Sequence, residues 1–266
     1  MLALLAQLPP APGSPVANAA RAAAAIGEHP EAELAVFPEA FLSGYRLSGL
    51  EEVACEADGA ELGVVAEAAA RTGTAVMIGF VERGGAGFHN SVACIDADGE
   101  LAGIYRKLTV FGGEADAFVP GRRMLLVELA GRTVAPLVCF DMEFPELARA
   151  GALAGADLLV TVAANMDPYG REHRIHALAR ALENRLPHLY VNRIGSESGF
   201  AFSGGSRSVD ADGVVVAEAA GREEALLLVE VGAAGARDSQ VDYLSFEPSR
   251  PCVEVQAKSH SEGGAR

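Results

Sequence analysis

Short apolar runs bounded by turn residues alternate along this chain with alanine-rich stretches of helical period. The first run, Met1 to Leu8, stops at Pro9-Pro10 and reads as a strand. The spacing then predicts a helix over Ala17 to Ile26, a strand over Leu34 to Phe37, a helix over Leu62 to Arg71 and a buried strand over Ala75 to Phe80. Ser91 to Ile95 and Leu101 to Tyr105 flank Asp96-Ala97-Asp98-Gly99. Asp-Gly between apolar runs is a strong hairpin signal.

The second half repeats this grammar. Val134 to Cys139 reads as a strand, Pro145 to Leu153 as a helix, and Leu158 to Val162 as a strand. Arg171 to Leu186 is predicted helical, with Ile175, Leu178, Leu182 and Leu186 lining one apolar stripe. His188 to Asn192 follows as a strand, and a second hairpin turn stands at Asp210-Ala211-Asp212-Gly213. Strands alternating with helices mark βαβ units. Two similar halves of this kind suggest an α/β protein with two sheets packed face to face and helices outside. No composition shift marks a linker, so residues 1–257 read as a single domain. Residues 258–266 are polar and glycine-rich, and are expected to form a disordered tail.

Composition changes this picture little, but it excludes several functions. Half of the residues are hydrophobic and 21% are charged, ordinary for a globular enzyme. The formal net charge of −15 repels phosphate backbones and anionic lipid, which excludes nucleic acid and membrane surfaces as expected partners. No run approaches the roughly 20 apolar residues of a membrane span, and the first residues lack a basic leader. Cys55, Cys94, Cys139 and Cys252 lie far apart with no CxxC pair, so free thiols and a cytoplasmic setting are expected, with no metal.

Three positions carry candidate chemistry. Cys139 ends an apolar strand and precedes Pro145, a natural first residue of a helix. That places a thiol at the usual ligand-binding edge of an α/β sheet, where a helix dipole and nearby cations would depress its pKa toward neutrality. An isolated cysteine of this kind is otherwise a buried structural residue. Glu39, in Ala35-Val36-Phe37-Pro38-Glu39, sets a carboxylate just past a strand among apolar neighbours; the alternative is a helix-start carboxylate. Lys107 follows Tyr105-Arg106 at a strand end, and the alternative is a solvated surface lysine.

Taken together, these motifs resemble the nitrilase-like carbon–nitrogen hydrolase superfamily. The matching blocks are Phe37-Pro38-Glu39 with Ser43-Gly44-Tyr45, Tyr105-Arg106-Lys107-Leu108 with Phe118-Val119-Pro120-Gly121, and Val138-Cys139-Phe140-Asp141 with Phe144-Pro145-Glu146. They stand in the family's order, 68 (107 − 39) and 32 (139 − 107) residues apart. The resemblance implies a four-layer αββα sandwich and a Glu39–Lys107–Cys139 triad with no cofactor. It also implies a second glutamate, Glu114, that positions the lysine and substrate. Met166 to Gly170 and Asp238 to Leu244 look closest to an amidase branch that includes stereoselective carboxamide amidases. Relatives of this kind are commonly dimers or larger, so a homo-oligomer is expected.

The expected reaction is hydrolysis of a small carboxamide by water through a thioester on Cys139. Tyr45, Phe140, Met142, Glu143, Asn165 and Tyr169 are the expected substrate contacts. N-carbamoyl-acid relatives commonly place an arginine shortly after the cysteine, where this chain has Met142 and Glu143. Arginine suits a carboxylate and glutamate repels one, which points to neutral or amine-bearing amides. Glu143 could equally be an outward ion pair. Nitriles and N-carbamoyl amides remain open as substrates. Rival readings are a serine amidase at Ser203-Gly204-Gly205-Ser206, a metal at His173 and His176, and a non-catalytic scaffold. A surface or packing role for the histidines is the simpler one.

Overall fold

A computed structural model describes residues 1–235 and Leu244. The expected tail at 258–266, and all of the 238–244 block except Leu244, lie outside the described residues. In chain order the elements are β1 (Leu2–Gln7), α1 (Pro15–Glu28), β2 (Leu34–Val36), α2 (Ala60–Thr72), β3 (Ala75–Gly84), β4 (Gly87–Ile95), β5 (Leu101–Arg106) and α3 (Glu114–Ala117). There follow β6 (Val127–Leu129), β7 (Arg132–Val138), α4 (Pro145–Leu153), β8 (Leu158–Ala163), α5 (Gly170–Asn184), β9 (His188–Asn192), β10 (Ile194–Glu197), β11 (Phe200–Ser203), β12 (Arg207–Val209), β13 (Val215–Glu218) and β14 (Ala225–Glu230).

Two six-stranded mixed sheets result, ordered β14-β1-β2-β3-β4-β5 and β13-β12-β9-β8-β7-β6, plus a separate β10-β11 ribbon. The period-2 alternation of each strand decides which layer its side chains enter. In the first sheet Ala3, Leu5, Leu34, Val36, Ala75, Met77, Val92 and Cys94 join the core shared with the second sheet. Their neighbours Leu4, Ala6, Ala35, Val76, Ile78 and Ala93 pack against Ala22 and Ile26 of α1 and Val65 and Ala69 of α2. On the far side Ala148 and Ala152 of α4 and Ala177 of α5 cover the second sheet. The result is the four-layer αββα sandwich. Fully buried alanines on the covering helices let backbones approach their sheet closely.

Both Asp-Gly turns form as expected. Asp96 Oδ1 accepts from Asp98 and Glu100, Asp210 Oδ1 accepts from Asp212 and Val214, and Gly99 and Gly213 take positive φ. Among the described residues no helix is long and apolar enough to cross a membrane.

One expectation fails in an informative way. The apolar stripe predicted over Arg171 to Leu186 splits: Leu186 is buried in the core and Leu178 packs against it, whereas Ile175 is 51% exposed and Leu182 41%. The buried face of α5 carries His173, Ala177, Arg180, Ala181 and Asn184. Arg180 holds the backbone of the site.

Candidate active site

The site assembles at strand ends, where each functional residue is set by backbone contacts. Glu39 stands three residues beyond β2 in a segment that runs alongside β3. Phe37 N–H donates to Met77 O, Leu42 N–H to Gly79 O, and Val81 N–H to Ser43 Oγ. Ala40 takes φ +50°, so the chain turns immediately after Glu39. Gly79 permits that path: a Cβ there would stand 2.4 Å from Pro38 O and 2.6 Å from Glu39 Cα. Lys107 follows β5, its N–H donating to Asn90 O and its carbonyl accepting from Gly121 N–H.

Cys139 follows β7 with φ +47° and opens a 3-10 turn over Cys139–Glu143 that runs up to α4. A non-glycine residue in that region costs on the order of 1–3 kcal/mol and persists only where surroundings impose it. Two clamps impose it here. Asp141 accepts from Val138 N–H, Tyr105 O–H, Leu108 N–H, Thr109 N–H and Thr109 O–H, tying the turn to the segment after Lys107. Arg180 of α5 donates Nε–H to Met142 O and Nη2–H to Glu143 O.

The charged cluster is compact and dry. Lys107 Nζ lies 2.9 Å from Glu39 Oε1 and 2.8 Å from Glu114 Oε2. Glu39 and Glu114 are fully buried and Lys107 is 2% exposed. Asn90 Nδ2–H donates to Glu39 Oε1 at 2.6 Å, and Tyr45 O–H donates to Glu114 Oε1 at 3.0 Å. Phe111 N–H reaches Glu114 Oε2 at 2.7 Å. Ala164 N–H donates to Glu39 Oε2 at 2.6 Å. One ammonium held between two carboxylates, each with further donors, satisfies the buried charges.

Burial alone would lower the Lys107 pKa, but the carboxylates of Glu39 and Glu114 outweigh it and hold the ammonium well above the ordinary lysine value. Cys139 corrects the expectation of a depressed thiol. Burial, then the negative charge of Glu39, push it well above the ordinary cysteine value despite Lys107. The resting group is therefore a thiol, and it needs a base rather than a helix dipole to become reactive.

A cavity of about 80 Å³ opens on Cys139. Its wall includes the expected Phe140, Glu143, Asn165 and Tyr169, together with Phe111, Met166 and His173, which sequence reasoning did not single out. Two expected contacts are corrected. Met142 is fully buried among core residues and is absent from the cavity wall, which leaves its side chain closed to a ligand there. Tyr45 is also absent from the wall; it is buried against Phe200 and Phe202 and serves Glu114. Glu143 both lines the cavity and pairs with a histidine: His173 Nε2 is 3.2 Å from its Oε1.

Asn90, Asp141, Arg180 and Gly79 carried no sequence signal of their role beyond lying in or beside the motifs. Lys107 did leave one, since the sequence contains only two lysines, Lys107 and Lys258, against 19 (21 − 2) arginines. Ser203 Oγ donates to Asn165 O and Ser206 Oγ to Asn192 O, which leaves the serines structural.

An αββα sandwich carrying a buried glutamate–lysine cluster against a cysteine defines a thiol hydrolase. The carbon–nitrogen hydrolase family profile matches residues 3–239. An (R)-stereoselective amidase of Pseudomonas sp is 36% identical over 236 residues, covering 88% of this chain and 85% of its own length. The solved NitN amidase of Nesterenkonia sp. AN1 superposes with a TM-score of 0.83 at 30% identity, covering 94% of this chain and 97% of that one. A variant of that amidase bearing a Michael adduct of acrylamide on its active-site cysteine superposes with a TM-score of 0.81 at 31% identity, over 87% and 93% of the two chains. This chain belongs to the carbon–nitrogen hydrolase family. It is an enzyme, a thiol-dependent hydrolase of carbon–nitrogen bonds.

Proposed function

We propose that Cys139, Glu39 and Lys107 together hydrolyse the C–N bond of small carboxamides, giving a carboxylate and ammonia through a thioester on Cys139. The observation that carries this reading is the buried Lys107 ammonium fixed between Glu39 and Glu114, with Cys139 opening on the cavity. Glu39 takes the thiol proton as the sulfur attacks the carbonyl carbon. That transfer removes the carboxylate's negative charge and leaves the thiolate beside Lys107.

The resulting oxyanion is stabilised by Lys107 and by the Phe140 N–H, which lies in the first turn of the 3-10 segment, where N–H groups lack intrahelical partners. Each such donor contributes roughly 3–4 kcal/mol in comparable sites. Collapse breaks the C–N bond, and Glu39 passes its proton to the departing nitrogen, releasing ammonia. Glu39 then deprotonates a water that attacks the thioester carbon, and the returning proton regenerates the thiol. Glu114 holds Lys107 throughout, and Tyr45 and Asn90 hold the carboxylates.

The cavity is sized for small amides. Among its lining residues there is no arginine or lysine, so carboxylate-bearing and N-carbamoyl-acid substrates lack a counter-charge. Neutral or amine-bearing amides fit better. A cytoplasmic setting and a homodimer or larger assembly belong to the same reading. They are supported by the free, buried Cys55, Cys94 and Cys139 and by exposed Leu153, Ile175 and Leu182 on the outer helices.

Ammonia release over a panel of amides with their matched nitriles tests the function. Amides should turn over, and Cys139→Ala should abolish turnover while keeping the wild-type circular dichroism. Wild-type rates in that variant would end the thioester mechanism.

A further inference from the structure

The cavity wall contains a charge that the hydrolytic steps do not use. Glu143 is four residues after Cys139 on the same 3-10 turn, and its side chain is 30% exposed into the cavity region. Oε1 is taken by His173, whereas Oε2 has His176 Nε2 only at 3.9 Å. That leaves Oε2 with acceptor capacity on a residue that lines the pocket.

Its surroundings keep it anionic. The Tyr190 hydroxyl stands 3.1 Å from His173 Nδ1, and His173 Nε2 stands 3.2 Å from Glu143 Oε1. The His173 hydrogen bond holds the Glu143 carboxyl below the ordinary glutamate value. His176 is held below the ordinary histidine value, chiefly by burial, and is therefore neutral at pH 7.

The rest of the wall favours a cation as well. Phe111, Phe140 and Tyr169 meet edge to face, with centroids 5.3 Å (Phe111–Phe140) and 6.0 Å (Phe111–Tyr169) apart. Aromatic faces attract an ammonium, and no arginine or lysine is among the cavity's lining residues to oppose one.

We propose that Glu143 is the specificity-determining residue of this pocket and selects carboxamides whose acyl part carries an ammonium group. The inference rests on the amide hydrolysis proposed above and deepens it. Glu143 and Cys139 line the same cavity of about 80 Å³, so the ammonium it selects belongs to a short acyl part, and the substrate class is small amino amides.

The test uses isosteric pairs at pH 7: β-alaninamide against butyramide, and alaninamide against isobutyramide. In the wild-type enzyme kcat/KM should favour the ammonium member of at least one pair by tenfold or more, the scale of a hydrogen bond to a charged group. In Glu143→Gln that ratio should fall toward one. A ratio near one in the wild-type enzyme, or the same ratio in both proteins, overturns the proposal. Should the variant fail to fold, the wild-type enzyme still decides. Propylammonium should inhibit butyramide hydrolysis competitively where propan-1-ol does not, and equal inhibition by the two overturns it. Butyramide turnover without ammonium preference would refute the Glu143 assignment alone, whereas no ammonia from any amide would refute the amidase reading.

Discussion

Gly79→Ala isolates the contribution of one close backbone approach. Gly79 lies within β3, and its φ is not positive, so alanine is acceptable to the local backbone. What forbids a methyl is the neighbouring segment. The new Cβ would stand 2.4 Å from Pro38 O, 2.5 Å from Ala40 N and 2.6 Å from Glu39 Cα. These are backbone atoms with no rotamer to change. Relief to an ordinary contact of about 3.4 Å requires the strand and segment to separate by about 1 Å. Glu39 moves with that segment, and its 2.6 Å bonds from Asn90 and Ala164 are too short to follow. A misplacement of about 1 Å costs on the order of 100-fold in rate, and overpacking costs about 1–3 kcal/mol in stability. The assay is steady-state ammonia release beside a thermal melt. We expect kcat to fall about 100-fold while the Tm falls by only about 2–4 °C for each kcal/mol lost. A variant with wild-type kcat would refute the argument that Gly79 sets the position of Glu39.

Asp141→Ala strips the acceptor from Val138, Tyr105, Leu108 and Thr109 together. It should destabilise the fold by at least about 3 kcal/mol in chemical denaturation, while Tyr105→Phe, which removes one bond, should cost about 1 kcal/mol; equal effects would contradict the hub role. The Cys139 thiol, raised by burial and Glu39, should react slowly with iodoacetamide at pH 7–8 relative to a free thiol, and rapid labelling would show that the resting group is already a thiolate. His188 is fully buried, with Nδ1 3.0 Å from Ala177 O and Nε2 2.8 Å from Thr161 Oγ1, and burial lowers its pKa to about 4. The unfolded chain then binds the proton first as pH falls. Stability should therefore decline from about pH 6.5 toward pH 4, by up to about 3 kcal/mol, and His188→Gln should flatten that decline between pH 6.5 and 5.

The sequence by itself determined the layers and pointed to the candidate triad. Continuous apolar runs such as Leu34 to Phe37 and Ala75 to Phe80 specify strands buried on both faces, Asp-Gly turns specify hairpins, and alanine-rich stripes specify covering helices. Cys139, Glu39 and Lys107 each stand at or just past such a run, where an α/β sheet exposes side chains to a ligand, but they became a candidate set only through the motif blocks that resemble carbon–nitrogen hydrolases. What the tertiary structure decided concerns direction and environment. Whether Met142 or Glu143 faces the cavity depends on a left-handed Cys139 and a 3-10 turn, which no periodicity encodes. The inner face of α5 mixes Ala177 and Ala181 with His173, Arg180 and Asn184, and Arg180 reaches the carbonyls of Met142 and Glu143, while Ile175 and Leu182 of the predicted stripe are exposed. The thiol is raised rather than lowered because burial, and after it the charge of Glu39, a residue remote in the chain, outweigh Lys107. Hydrophobic pattern fixes which side of an element is dry; only the packed neighbours fix the charges and donors that each buried group meets.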